Sequence, residues 1–118
     1  MATTKATQAK ESADKLKNST LAKSKFLHQE TVTILDGTDE AYDLVLQFPG
    51  TAKASRLRDN NLNQFGNLDI TGFMEDAIKP DTGLIVSPLI KSLDFWDEHG
   101  GYDEAAAKCV SFLAKMLD

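Results

Sequence analysis

The chain is short of most things that chemistry needs. Cys109 is the only cysteine among 118 residues, so no intrachain disulfide can form and a reducing setting fits best. No apolar run approaches the ~20 residues of a membrane helix, and the N-terminus lacks the apolar centre of a secretory signal. It is rich in Ala, Ser, Thr and Lys, yet holds no Arg, which argues against a transit peptide. His28 and His99 lie on separate elements, and no Ser or Cys stands in a nucleophile motif. The glycines are scattered as caps and turns, without a cluster to cradle phosphate.

Charge is unevenly placed. The formal net charge is -5, but residues 1–25 carry six Lys against Glu11 and Asp14, while residues 26–118 carry seven basic against sixteen acidic groups. An acidic body argues against a nucleic-acid partner, which needs clustered Lys and Arg. Residues 1–25 read as a flexible or weakly helical basic arm, because Ala6, Ala9, Ala13 and Leu16 make a stripe too weak for a solitary helix. Residues 26–118 read as one domain.

The chain is organised around Tyr42-Asp43-Leu44-Val45-Leu46-Gln47-Phe48-Pro49-Gly50. Tyr42, Leu44, Leu46 and Phe48 alternate with Asp43, Val45 and Gln47, the period of a strand with one apolar face. Phe26–Leu35 is a second alternating run, and Asp36-Gly37-Thr38-Asp39-Glu40 between them is a turn, so the two form an antiparallel hairpin. Pro49-Gly50 ends the second strand.

Helices follow. Thr51 is expected to cap a short helix through Arg58, with Ala54 and Leu57 inward. Asp69 caps a second, whose Ile70, Phe73, Met74, Ala77 and Ile78 form an apolar stripe. Leu84-Ile85-Val86 reads as an apolar connection. Ser87 as N-cap and Pro88 at the first helical position predict a third helix, with Leu89, Ile90, Leu93 and Trp96 on one side and Gly100-Gly101 at its end. A fourth runs from Asp103 or Glu104 to Leu117, on the stripe Ala106, Cys109, Val110, Leu113 and Leu117. The fold class is α+β: an N-terminal antiparallel β-hairpin packed on about four α-helices, mainly helical, with the basic arm ahead of it.

Ala105, Phe112 and Met116 widen the last stripe enough to cover a core on one side and a partner on the other. Phe95, Trp96 and Tyr102 flank the double glycine, and an exposed aromatic bordered by acids is a usual interface anchor. The candidate partner-binding residues are therefore Phe95, Trp96, Tyr102, Phe112 and Met116. Asp94, Asp97, Glu98, His99, Asp103 and Glu104 crowd the same region, but their spacing matches neither a calcium loop nor a zinc helix. They read as a solvated helix end followed by an acidic helix start. No catalytic, cofactor-binding or metal-binding residue is expected.

In order, the segments resemble the tail assembly chaperones of long-tailed bacteriophages, particularly siphophages of Gram-positive hosts. The likeness runs from about Thr31 to Leu117. It rests on Leu44-Val45-Leu46-Gln47-Phe48-Pro49-Gly50 followed by Ala54-Ser55-Arg56-Leu57-Arg58-Asp59, on Gly66-Asn67-Leu68 with Ala77-Ile78-Lys79-Pro80, and on Phe95-Trp96-Asp97-Glu98-His99-Gly100-Gly101-Tyr102 with Val110-Ser111-Phe112-Leu113. The long Lys-rich arm departs from that pattern. The resemblance implies a non-enzymatic factor in the host cell cytoplasm that binds the aggregation-prone tape measure protein, and the tail tube protein as a second partner. It also implies weak self-association and, in many such proteins, a longer frameshifted form. Two other readings stand beside it: a generic interaction adaptor using the basic arm, and a small metal-dependent enzyme using the acidic cluster.

Overall fold

The middle strand of the sheet is Tyr42–Gln47, and its alternation decides what the rest of the chain covers. The computed structural model describes residues 24–118, and ahead of them only the backbone of Ala2–Thr3 and Lys5–Ala6. The expected arm therefore lies almost wholly outside the described residues. Strand β1 (Gln29–Ile34) pairs antiparallel with β2 (Tyr42–Gln47), from Gln29 opposite Gln47 to Ile34 opposite Tyr42. Leu44, Leu46 and Phe48 are buried, as the period of two requires, and each contributes roughly 1.5–3 kcal/mol of apolar burial. The turn between the strands places Leu35 and Gly37 at positive φ and is closed by Thr38, whose N–H and hydroxyl both donate to the Leu35 carbonyl.

Helix α1 (Thr51–Asp59) follows Pro49-Gly50, and α2 (Ile70–Ala77) follows a loop pinched by a bridge between Leu62 and Leu68. The N-cap of α1 is Gly50, not Thr51, because the chain leaves β2 through that glycine and enters the helix immediately after it. Asp69 caps α2 as expected, its carboxylate accepting from Gly72 N–H. Buried Asn61 locks the joint between the helices: its side-chain amide donates to the Leu57 carbonyl and to Asp76, and its own carbonyl accepts from Asp69 N–H.

The expected third helix does not form. Ile85–Ser87 is strand β3, antiparallel to β2 on the side away from β1, with the Leu84 carbonyl accepting from Gln47 N–H at 2.8 Å. A two-stranded hairpin would leave that edge of β2 with unpaired backbone groups under the helices, and the β-branched pair Ile85-Val86 fills it. The Ser87–Pro88 peptide is cis. Beyond it Ile90 drops into the core and Leu89 points outward, and only Leu93–Asp97 coils, as a 3-10 turn capped by Ser92. The fold is thus α+β with a three-stranded antiparallel sheet and three α-helices, not about four.

Helix α3 (Tyr102–Leu117) begins one or two residues earlier than its acids suggest, with Gly101 as a left-handed N-cap at φ 83. It runs antiparallel along the outer edge of β1. Glu104 accepts from Leu35 N–H at 3.0 Å, Lys108 donates to the Thr33 carbonyl at 2.8 Å, and Lys115 pairs with Glu30 at 2.6 Å. Glu104 and Lys108 thereby occupy backbone groups that an open strand edge would offer to another strand, while Lys115 ties the far end through a side chain. Ala105, Ala106, Cys109, Phe112, Leu113 and Met116 close the core beneath the sheet.

Candidate functional site

Phe95, Trp96 and Tyr102 do come together, around a residue the sequence placed in the sheet. Trp96 Nε1–H donates to Tyr42 Oη at 2.9 Å, and the Tyr42 hydroxyl donates to the Gly100 carbonyl at 2.7 Å. The rings of Phe95 and Trp96 meet edge to face at 5.0 Å, those of Trp96 and Tyr102 at 5.3 Å, and Tyr42 sets its edge against Phe95 at 5.9 Å. His99 stacks flat on Phe95 at 4.0 Å, with Nδ1–H donating to the Phe95 carbonyl. Each such ring pair adds about 0.5–1.5 kcal/mol beyond its buried area. The cluster ties the Gly100-Gly101 bend to the start of β2.

Burial raises the Tyr42 phenol above its ordinary value and the nearby Glu104 carboxylate adds to this, against the Trp96 N–H that favours the phenolate. Tyr102 Oη is buried and meets no hydrogen-bonding partner among the described residues. Phe95, Trp96 and Tyr102 are each half-buried. The outer side of the cluster is the exposed His99 and the half-buried Phe95.

Phe112 and Met116 are placed differently. They are 4% and 7% exposed and belong to the core, because α3 is sandwiched between the sheet and α1 and its wide stripe is covered from both. The α3 residues left part-exposed are Val110 and Leu117. Cys109 is buried at the same level, and desolvation pushes its thiol up to about 12, so it stays protonated at neutral pH.

The acidic residues around the double glycine do not converge. Asp94, Asp97, Glu98 and Asp103 are exposed, and Glu104 turns to Leu35 N–H and Lys108. Among the described residues no group of three or more His, Cys, Asp or Glu side chains is arranged to hold a metal ion.

Two apolar depressions remain, and the sequence singled out neither. A groove of about 640 Å³ lies between the end of α2 and the segment that enters the 3-10 turn, lined by Ile78, Pro80, Leu89, Ile90 and Leu93 and bordered by Glu75, Asp76, Lys79 and Lys91. Leu89 is 71% exposed beside it. Asp76 is held below the usual carboxylate range by the Asn61 amide and then by Lys79, so the border carries both signs at neutral pH. A smaller notch of about 290 Å³ lies where the end of α3 meets α1 and the loop ahead of α2. The sequence signal for the groove is Leu89-Ile90 directly after a proline, a pair that reads locally as part of one helix face.

No protein-family model matches the chain, and no curated protein or solved structure is significantly similar to it. Among the described residues no helix is long and apolar enough to cross a membrane.

Proposed function

We propose that the protein is a non-enzymatic tail assembly chaperone of a long-tailed bacteriophage, working in the host cytoplasm to hold the tape measure protein before the tail tube forms around it. The observation that carries this reading is the groove between α2 and the 3-10 turn. Its apolar lining and two-signed border suit the apolar stripe and flanking charges of an amphipathic helix, the form in which a long helical partner presents itself. Leu89 lines it as the exposed anchor, and the half-buried Phe95 and Trp96 follow Leu93 in the 3-10 turn. The acidic excess of residues 26–118 favours a partner segment rich in Lys. The tail tube protein is the second partner in this reading.

The test is co-expression with the tape measure protein encoded beside the gene. Wild-type chain is expected to raise the soluble yield of that protein and to co-purify with it. Leu89→Glu, at an exposed position where stability changes little, is expected to abolish both effects. Unchanged tape measure solubility with wild-type chain would refute the function, and wild-type behaviour of Leu89→Glu would move the contact elsewhere.

A further inference from the structure

Three of the seven basic side chains in residues 26–118 line one cavity of about 290 Å³, although that stretch carries sixteen acidic groups. One wall is a face of α1, where Lys53, Arg56 and Asn60 recur at the three- and four-residue spacing that makes neighbours on a helix. The other is the turn after α2, from Lys79 to Thr82, closed by Thr82 and Gly83 N–H, which both donate to the Lys79 carbonyl at 3.1 Å. Lys53 Nζ spans the two walls, donating to the Asp81 carbonyl at 3.0 Å.

The cations of this cavity are short of counter-charge. Arg58, Lys108 and Lys115 each pair with a carboxylate. Lys79 pairs with Asp76, whose other oxygen accepts from the Asn61 amide. Lys53 and Arg56 ion-pair with no carboxylate among the described residues, and Asp59, three residues on from Arg56, is taken by Arg58 and Ser55. The helix dipole accounts for Arg56, in the last turn of α1, but not for Lys53. The first turn is the end where a cation is disfavoured, and it holds no acid to compensate. Arg56 one turn further on adds like-charge repulsion. An anion bound between the two removes both penalties. The Asn60 amide and the Thr82 hydroxyl add neutral donors to the same lining.

We propose that this cavity binds a single phosphate group, free or as the monoester of a small molecule. Such a group carries a charge of about −1.5 to −2 at neutral pH, which matches the unpaired charges of Lys53 and Arg56; a carboxylate would leave one of them over. Its oxygens spread tetrahedrally and so meet donors from both walls, with the Arg56 fork able to take two of them. The cavity is well above the roughly 150 Å³ that holds a benzene ring, which leaves room for the carbons next to an esterified phosphate. A nucleic acid or an anionic membrane would instead bring many phosphates against the acidic remainder of the body. The inference does not rest on the helical partner, although Asp76 and Lys79 also border the groove between α2 and the 3-10 turn.

Amide resonances of the isotopically labelled chain, followed through titrations with inorganic phosphate and with glycerol 3-phosphate at constant ionic strength, test this; sodium acetate is the comparison. Saturable shifts are expected at Lys53, Arg56 and the turn from Lys79 to Thr82 with both phosphate probes, and a weaker response to acetate. Tighter binding of the ester would assign the site to a phosphorylated small molecule and tighter binding of inorganic phosphate to the free ion, and both support the proposal. Lys53→Gln and Arg56→Gln, at exposed positions where circular dichroism should show an unchanged fold, are each expected to weaken binding about tenfold or more, the loss typical of a hydrogen bond to a charged group. Lys115→Gln, which removes the same charge from α3, should bind as wild type does. Shifts that never saturate, acetate bound as tightly as phosphate, or wild-type affinity in Arg56→Gln would each overturn the proposal. So would capture of the chain by anionic phospholipid vesicles with no response to either soluble phosphate.

Discussion

Gly37 and Gly101 share a φ of +83° but not a setting, and substituting each by Ala separates a backbone cost from a packing cost. At Gly37, in the hairpin turn, an added Cβ meets nothing within 4 Å. The cost there is the left-handed conformation alone, about 1–2 kcal/mol for an L-residue. At Gly101 the same Cβ would collide with Ile34 Cγ2 and stand 3.2 Å from Leu35 Cγ. Ile34 is fully buried and cannot swing aside, so overpacking adds a further ~1–3 kcal/mol. Reduced unfolded-state freedom offsets both changes equally and drops out of the comparison. Gly101→Ala should therefore lose about 2–5 kcal/mol and Gly37→Ala about 1–2. Thermal and urea unfolding followed by the sole tryptophan, Trp96, reads both. At ~4–8 °C per kcal/mol for a domain of this size, the Gly101 variant should melt at least about 4 °C below the Gly37 variant. Equal losses would refute the close packing of the α3 N-terminus against β1.

Two further predictions concern polar ties. Glu104 is held below its ordinary value of 4.5 first by Leu35 N–H and then by Lys108, and Glu30 by Lys115 and then His28. Both bind a proton less readily folded than unfolded, so their stabilisation is complete above about 4.5 and is lost as pH falls through their lower native values. Urea midpoints should fall modestly over that acid range, since the groups are solvent-screened, and Glu104→Gln should flatten the fall; an unchanged slope would sink this. Tyr42→Phe leaves Trp96 Nε1–H and the Gly100 carbonyl without their partner and should cost about 1–3 kcal/mol with a shift in Trp96 emission; an unaltered spectrum would mean the aromatic cluster does not depend on that hydroxyl.

The hairpin was legible because period two is a local signal: Leu44, Leu46 and Phe48 are buried where the alternation puts them, and Asp69 caps where a cap was expected. The third strand was not, because three apolar residues carry no readable period and Ser87-Pro88 is a sound local helix start. What overruled it was the unpaired edge of β2, some forty residues earlier in the chain. The aromatic cluster was half legible. Phe95, Trp96 and Tyr102 were grouped by proximity in sequence, but their hydrogen-bonding centre, Tyr42, is 54 residues from Trp96 and was assigned only to a strand face.

The width of the α3 stripe is the more instructive miss, since by itself it reads as a surplus of apolar surface available to a partner. A helix packed on one neighbour needs an apolar arc of about a hundred degrees, and α3 packs on both the sheet and α1, so the wider arc that includes Phe112 and Met116 is consumed within the fold. Most of the exposed large apolar side chains among the described residues lie in the connections instead. Phe65 sits in Asn63-Gln64-Phe65-Gly66-Asn67, a stretch otherwise polar, and Leu89 follows a proline outside any regular element. An apolar side chain there cannot be explained by a helix or strand period, and burial inside the loop would leave backbone groups unpaired. In this chain such isolated residues, rather than the continuous stripes, supply the most exposed large apolar side chains among the described residues.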